Sequence, residues 1–350
     1  MSQTPAAPDP LTASASVVNA RRQARTRKRT WPAILTLFVL APLVGEVLST
    51  STPPLAFINP LTLFWEGALY GSGALLVREI ARRRRLGWSN ILLMGAAYGI
   101  LEEAIFIQSW FNPSFPTGLG AYGRYWDTNL VWALELTAFH AVFSITVSIL
   151  LAEAIFPDRS QISWLGRKEC WGFTILLGGV TLLGFVYYGF SASARRGYTH
   201  PPAAIFGAIS LMTGLFLAGA YARPILPHVS TRPVPSLWRV RVMGFALTLA
   251  FFAAVYSLSG LRVAAPVTLG VMAFVLVIAA RLSYSWSGRA GWSEQQRLAL
   301  ATGALGYWLL FSLLAIATGL PVVSLLVLGL LIWLARRAAH LPTASEHYEH

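Results

Sequence analysis

The segment from Asn129 to Phe156 reads NLVWALELTAFHAVFSITVSILLAEAIF, and Leu, Val, Ile, Ala and Phe make up most of it. An apolar run of about 18 or more residues is long enough to cross the hydrocarbon core of a bilayer as an α-helix. Similar stretches follow one another along the chain. The ten predicted spans are 31–50, 61–82, 88–111, 129–156, 171–192, 203–226, 239–260, 263–281, 298–318 and 319–336. We therefore predict an all-α fold, a polytopic transmembrane helical bundle of about ten spans.

The composition agrees with a membrane protein. Of the 350 residues, 55% are hydrophobic and 12% are charged, whereas a soluble globular chain carries about 25% charged residues. Ten spans of about 20 residues would use roughly 200 positions, which excludes a large soluble domain. The single cysteine, Cys170, excludes an intrachain disulfide and a thiolate metal cluster.

The basic residues predict the orientation. The net charge of +13 could indicate a nucleic-acid partner, but the bases lie at the ends of apolar spans, so we expect none. Cytoplasmic loops of membrane proteins carry an excess of Lys and Arg, and placing both termini in the cytoplasm puts 22 bases on that side. We predict a multi-pass protein of the cell (cytoplasmic) membrane, with anionic lipids at Arg82, Arg83, Arg84 and Arg85.

The acidic residues distinguish the first four predicted spans from the other six. An ionisable side chain in hydrocarbon costs about 2.5–3.5 kcal/mol on insertion scales, which makes each one a functional candidate. Seven lie inside predicted spans, all within the first four: Glu46, Glu66, Glu79, Glu102, Glu103, Glu135 and Glu153. We expect a disordered basic segment at 1–30, a polar-cored four-helix region at 31–156, an apolar six-helix region at 157–336 and a tail at 337–350.

Glu102, Glu103 and His140 form the main candidate site. Gly95, Gly99 and Glu102 share a helical face by their i, i+4, i+7 spacing, and small residues there permit close helix packing. With a rise of about 1.5 Å per residue, the two carboxyls lie roughly 3–5 Å, and His140 about 3 Å, to the same side of the bilayer midplane. Such a pair of carboxyls can supply a general acid or a base that activates water.

These residues resemble a known family. Glu102-Glu103 on one membrane helix, followed 37 residues later by His140 on the next, resembles the CAAX-protease and bacteriocin-processing (Abi) family of glutamic intramembrane proteases. That family's first motif is Glu-Glu-x-x-x-Arg, and here Ile107 stands at the Arg position. Its second is Phe-x-x-x-His, and here Leu136 replaces the Phe. Its third, His-x-x-x-Asn, has no counterpart in a later span.

The resemblance covers roughly residues 60–156. It implies a membrane-embedded, metal-independent endopeptidase without cofactors, in which Glu103 and His140 activate the attacking water and the substrate is a peptide. A lipid substrate stays open as well.

Other functions fit the same residues. Carboxylates in membrane helices can relay protons or cations, which would make the protein a transporter or channel. A non-catalytic protein that binds a lipid or partner helix is a third hypothesis. Two carboxylates and an imidazole would also suit a divalent cation, although we expect no metal. The residues expected to line a cavity or pair charges are Glu46, Glu66, Arg78, Glu79, Glu135, Thr137 and Ser144.

Overall fold

The computed structural model of the chain describes residues 30–115, 119, 121–191, 198–199, 201–314 and 320–339. The predicted basic segment therefore lies outside the described residues except for Thr30, which begins the first helix. Of the predicted tail, residues 340–350 also lie outside them, and the last described helix continues to Ala339.

Ten long helices make up the described part of the chain, and their ends lie within six residues of the predicted ones. The second long helix, α3, runs without a break through Pro60–Glu66, Gly67–Gly71 and Ser72–Arg83, and a short helix, α2, precedes it at Pro54–Phe57. The other long helices are α1 (Thr30–Val47), α4 (Trp88–Phe106), α5 (Leu130–Ile155), α6 (Arg167–Phe190), α7 (Pro202–Tyr221), α8 (Leu237–Gly260), α9 (Ala265–Ser287), α10 (Glu294–Leu314) and α11 (Leu320–Ala339).

The helices confirm the predicted all-α membrane bundle. Eight of them are long and apolar enough to cross a bilayer. The other two long helices are α3, which contains five charged residues, and α10, which begins with the polar run Glu294-Gln295-Gln296-Arg297. Short strands pair as Arg124–Tyr125 with Thr128–Asn129 and Ser230–Pro233 with Arg289–Ala290, and no closed sheet forms within the described residues.

Burial separates a central group of helices from a peripheral one. In α4 and α5, 67% of the most apolar 18-residue stretch is buried inside the protein. The corresponding share is 11% in α6 and 17% in α7. Apolar side chains exposed over whole helices would be unfavourable in water, so the outer faces of α6 and α7 are surfaces for lipid tails.

Four of the central helices contain π-helical segments. These are Leu43–Val47 in α1, Gly67–Gly71 in α3, Leu101–Phe106 in α4 and His140–Val147 in α5. π-Helical turns close i to i+5 hydrogen bonds, are rare, and occur frequently at functional sites. They also change which side chains share a face, so spacing based on 3.6 residues per turn fails locally.

The π segment in α5 changes the contacts of its polar side chains. On a regular α-helix, the spacing of Thr137, His140, Ser144 and Ser148 predicts a single polar stripe. His140 and Ser144 do remain in contact, with Nδ1 and Oγ 3.0 Å apart. The Ser148 hydroxyl instead donates to the Phe143 carbonyl of its own helix at 3.1 Å.

Candidate functional site

The structure brings Glu102, Glu103 and His140 together. The two carboxyls lie in the π segment of α4, and His140 begins that of α5. His140 Nε2 is 3.1 Å from Glu103 Oε1, and His140 Nδ1 is 3.2 Å from Glu102 Oε2. The imidazole therefore lies between the two carboxyl groups, and each ring nitrogen faces one of them.

Tyr70 extends the cluster toward α1. Its hydroxyl contacts both Glu46 Oε1 and Glu102 Oε1, and Thr52 donates to Glu46 Oε2 at 2.7 Å. A tyrosine hydroxyl has one proton to donate. The Glu46 and Glu102 carboxyls therefore compete for one donor, which links α1 and α4 through α3.

Glu103 is held from the other side by the loop after α4. The Ser109 hydroxyl donates to Glu103 Oε2, and Trp132 Nε1 donates to the same hydroxyl oxygen at 3.0 Å. Glu103 thus has Ser109 at one carboxylate oxygen and His140 at the other, which fixes the plane of the carboxylate.

Aromatic rings surround the imidazole. The ring centroids of Tyr70, Tyr98 and Phe139 lie 5.9, 6.1 and 5.1 Å from that of His140. The Tyr98 hydroxyl is buried and interacts with the Glu102 carboxyl. Aromatic walls exclude water and lower the local dielectric, which strengthens the polar contacts inside.

Glycines allow α4 and α5 to approach this closely. A Cβ at Gly99 would lie 3.0 Å from His140 Cβ, and one at Gly95 would lie 3.0 Å from the Ala141 backbone. In α1, a Cβ at Gly45 would lie 2.7 Å from the Tyr70 ring. The site therefore depends on the absence of side chains at three glycines in two helix crossings, α4 with α5 and α1 with α3.

The other predicted site residues divide between the edge of the cluster and other parts of the bundle. Glu66 is half-buried and close enough to Glu46 to repel it electrostatically. Thr137 is half-buried, and its backbone packs against Gly99. Glu135 lies outside the cluster, where it accepts a hydrogen bond from the Tyr256 hydroxyl of α8 at 2.8 Å.

Arg78 pairs with an acid of a neighbouring helix, Glu153 on α5, rather than with Glu46 or Glu66. Its Nε lies 3.0 Å from Glu153 Oε1, and its Nη2 donates to the Ser160 carbonyl at 2.8 Å. The guanidinium also lies 3.3 Å from the centre of the Trp164 ring. Arg78 and Glu153 lie at the end of α3 and α5 remote from the candidate site, where they anchor the connection between α5 and α6.

Glu79 anchors the same connection. One carboxylate oxygen accepts the backbone N–H groups of Trp164 at 3.0 Å and Leu165 at 3.2 Å. The other pairs with Arg83 at 2.5 Å and also contacts the Ser163 hydroxyl. Glu79 is therefore a structural charge partner and lies outside the carboxyl and imidazole cluster.

Two of the four arginines expected to contact lipid also pair with carboxylates. Arg82 forms a bidentate contact with Glu153 at 2.7 and 2.5 Å. Arg83 pairs with Glu79 and also donates to the Leu165 carbonyl at 2.6 Å. Arg83, Arg84 and Arg85 are exposed, and lipid binding at Arg82–Arg85 stays a prediction.

The cluster has an excess of acid and suits proton transfer or cation binding. It holds Glu46, Glu102 and Glu103 with one imidazole, and their only ion-pair partner within the described residues is His140. Glu102, Glu103 and His140 each offer one ligand atom, and these three atoms lie within 4.8 Å of one another. This spacing would allow three donors to face one divalent cation.

A sequence profile matches residues 35–344 of the chain. The chain belongs to an uncharacterized membrane protein family. Comparison with curated proteins and with solved structures finds no match. This membership agrees with the helical membrane bundle and assigns no activity, so the resemblance carried by Glu102, Glu103 and His140 stays a prediction.

Sequence reasoning missed four members of the cluster: Tyr70, Tyr98, Ser109 and Thr52. Tyrosine and serine are ordinary residues in membrane spans, so composition does not distinguish them. The position of Tyr70 between Gly67 and Gly71 was a weak signal, because small residues mark close helix contact. For Ser109 and Thr52, which lie just beyond helix ends, no sequence signal pointed to the site.

Proposed function

We propose that this protein is a membrane-embedded hydrolase that cleaves an amide bond with water activated by Glu103. The observation that carries the proposal is the contact between Glu103 Oε1 and His140 Nε2, 3.1 Å apart on neighbouring helices. A general base needs a partner within hydrogen-bond reach that orients it, and His140 on one side and Ser109 on the other supply that orientation.

Exposure supports Glu103 rather than Glu102 as the base. The side chain of Glu103 is 11% exposed, against 6% for Glu102 and 3% for His140. Water therefore reaches Glu103 most readily. Glu102, which faces His140 Nδ1 and Tyr70, acts as the group that holds the imidazole in place.

The reaction follows from these positions. The Glu103 carboxylate takes a proton from water as the water oxygen bonds to the amide carbonyl carbon, and the carbonyl electron pair moves onto the carbonyl oxygen. The pair then returns, the carbon–nitrogen bond breaks, and Glu103 gives its proton to the leaving nitrogen. The products are a carboxylic acid and an amine.

The oxyanion of the intermediate requires a hydrogen-bond donor. Preorganised donors aimed at the developing charge are often the largest single contribution to catalysis. The Tyr98 hydroxyl is buried beside the Glu102 carboxyl, and its ring packs against His140. We assign it the role of oxyanion donor.

The test compares cells that express the wild-type protein with cells that express Glu103→Gln, His140→Gln or Glu135→Gln at equal membrane abundance. New protein N-termini in the membrane fraction are identified by mass spectrometry. The Glu135 variant is the matched control, since it replaces a buried carboxyl of α5 that bonds Tyr256 outside the cluster.

We expect a set of N-termini that is present with wild-type protein and with Glu135→Gln, and absent with Glu103→Gln and His140→Gln. Identical sets in wild-type and Glu103→Gln cells would contradict the hydrolase.

A second candidate is a divalent-cation site, favoured by the 4.8 Å grouping of ligand atoms from Glu102, Glu103 and His140. Metal analysis of purified protein dialysed against Zn²⁺, Mn²⁺ or Mg²⁺ tests it. Retention of one metal ion by the wild type, with loss in Glu102→Gln and retention in Glu135→Gln, would support cation binding. Equal metal content in all three would exclude it.

A further inference from the structure

A polar cleft opens where the connection between α7 and α8 meets the connection between α9 and α10. Its volume is about 360 Å³, within the range of roughly 300–1,000 Å³ that is typical of small-ligand sites. All six side chains that line it are polar, namely His228, Ser230, Arg232, Tyr284, Ser285 and Arg289. The carboxyl cluster lies on α1, α3, α4 and α5, so this cleft is a separate site.

Backbone contacts hold the two connections together. Ser230–Pro233 and Arg289–Ala290 pair as short parallel strands, and the Ser230 N–H donates to the Gly288 carbonyl at 2.9 Å. A Cβ at Gly288 would lie 2.1 Å from the His228 carbonyl oxygen. The absence of a side chain at Gly288 therefore permits the approach that forms the cleft.

The cleft is positively charged. The sequence from Cys170 to Ser293 contains no Asp or Glu, so neither connection supplies a carboxylate. Arg232 and Arg289 line the cleft, and among the described residues neither guanidinium has a carboxylate within 4 Å. Further arginines lie in or beside the two connections, at Arg223, Arg239, Arg241 and Arg281. A cleft lined by charges of one sign concentrates ligands of the opposite sign.

The donors of the cleft suit a group with several acceptor oxygens. Arg289 Nη1 donates to the Pro233 carbonyl at 3.3 Å, which anchors this guanidinium beside the backbone that follows Arg232. The Ser230 hydroxyl accepts the Arg232 N–H at 3.3 Å, and a hydroxyl that accepts can still donate its own proton. Two guanidinium groups and this hydroxyl can engage three oxygens, which a phosphate offers and a carboxylate does not.

We propose that this cleft binds a phosphate group through Arg232, Arg289 and Ser230. The phosphate can belong to a phospholipid headgroup or to a soluble phosphate ester, because the donors recognise the same oxygens in both. The positive-inside rule predicts that both connections face the cytoplasm, where either source can reach the cleft. The site shares no residue with the proposed hydrolase.

The experiment titrates inorganic phosphate into full-length protein in mild detergent and measures affinity by calorimetry at constant ionic strength. The variants are Arg232→Gln and Arg289→Gln, with Arg223→Gln as the matched control. Arg223 is an exposed arginine of the same connection that does not line the cleft. Arg232 is also exposed, so its replacement should leave the melting temperature unchanged.

We expect phosphate to bind the wild-type protein and Arg223→Gln with equal affinity. Binding should be about ten-fold weaker in Arg232→Gln and in Arg289→Gln, because each loses a charged hydrogen bond. Equal affinity in all four proteins, equal weakening in Arg223→Gln, or no binding by the wild type would overturn the proposal. If Arg289→Gln does not fold, Arg232→Gln alone decides between these outcomes.

Lipids added to the detergent micelles provide the second arm. Phosphatidylglycerol that weakens phosphate binding would identify a headgroup as the source of the phosphate. Phosphate binding that phosphatidylglycerol leaves unchanged would identify a soluble phosphate ester, and either result supports the phosphate site. Equal competition by diacylglycerol, which carries no phosphate, would overturn it.

Discussion

Two tyrosines of the candidate site differ in what their hydroxyls contact. The Tyr70 hydroxyl contacts two carboxyl groups on different helices, whereas the Tyr98 hydroxyl interacts with Glu102. Both rings are buried, and they pack 5.9 Å apart. The first hydroxyl therefore joins two helices, whereas the proposed mechanism assigns the second to the reacting group.

Removal of each hydroxyl should separate these roles. Tyr70→Phe leaves Glu46 and Glu102 buried and facing each other without the shared donor, which should destabilise the protein by about 1–3 kcal/mol. Tyr98→Phe should change stability by less than about 0.5 kcal/mol while it slows hydrolysis. Thermal unfolding of both variants in the same detergent tests this. Equal destabilisation would show that Tyr98 has a structural partner too.

The sequence gives part of this residue-level arrangement. Counting residues from the span ends places Glu102, Glu103 and His140 at one depth, and in the structure they lie within hydrogen-bond distance. The pairing of Arg78 with Glu153 could not be derived in this way. Depth along one helix does not specify which neighbour a long side chain reaches, and that choice depends on helix packing.

At the scale of elements, the site depends on the close crossing of α4 and α5. A Cβ at Gly99 would meet His140 Cβ at 3.0 Å and Thr137 Cα at 3.2 Å. By contrast, a Cβ at Gly178, on α6, would meet no atom within 4 Å among the described residues. These two glycines thus provide a matched pair for testing the crossing.

Gly99→Val should force α4 and α5 apart and cost about 1–3 kcal/mol through overpacking. Gly178→Val adds the same side chain in a helix facing lipid and should have little effect. The melting temperatures of the purified variants measure the difference. If both variants melt at the wild-type temperature, α4 and α5 do not pack as closely as described.

The connection between α5 and α6 provides a second test at this scale. Arg78 donates to the carbonyls of Arg159, Ser160 and Ile162, at 3.1, 2.8 and 3.2 Å. Its side chain is 1% exposed. The guanidinium therefore holds a loop that has no regular secondary structure beyond the short 3₁₀ turn Pro157–Arg159.

Arg78→Gln should leave three carbonyls without their donor and destabilise the protein by roughly 3–5 kcal/mol, as for a broken buried ion pair. Cleavage between residues 157 and 166 by added protease should accelerate strongly. Arg85→Gln, an exposed arginine two residues beyond α3, is the control and should be cleaved at the wild-type rate. Unchanged cleavage of Arg78→Gln would show that the loop is held by other contacts.

The π-helical segments show why periodicity alone was insufficient. Within the described residues, each of the four contains a residue of the candidate cluster, namely Glu46, Tyr70, the Glu102–Glu103 pair and His140. Apolar side chains flank all four, so the hydrophobic pattern gives no sign of a change in helical pitch. The cause lies in tertiary contacts, which the sequence pattern does not encode locally.

At the scale of the whole molecule, the helix order fixes which loops share a side of the membrane. Arg85 lies between α3 and α4, and Trp126 lies between α4 and α5 and is 86% exposed. One crossing of the membrane separates them. The positive-inside rule predicts that Arg85 faces the cytoplasm.

Cysteine labelling tests this orientation. In a Cys170→Ser background, which has no other cysteine, Trp126→Cys should react with a membrane-impermeant maleimide in intact cells. Arg85→Cys should react only after the membrane is permeabilised. The reverse labelling pattern would show that the predicted orientation is inverted. Labelling of both cysteines in intact cells would contradict a single crossing of the membrane by α4.

The bundle itself was the most predictable property. Long apolar runs determine membrane helices almost directly, because backbone polar groups must be satisfied within each segment in lipid. The packing of those helices was not predictable to the same degree. In lipid it depends on small residues and on specific polar contacts, so the separation of central α4 and α5 from peripheral α6 and α7 required the structure.

The most direct test of the central claim is the ¹⁵N NMR spectrum of the His140 ring, assigned by comparison with His140→Gln. If Glu103 and His140 act as one unit, Glu103→Gln should shift the His140 Nε2 resonance, because the carboxyl oxygen 3.1 Å away is replaced by an amide. Glu135→Gln should leave that resonance unchanged. A His140 resonance that is identical in wild-type protein and Glu103→Gln would contradict the account.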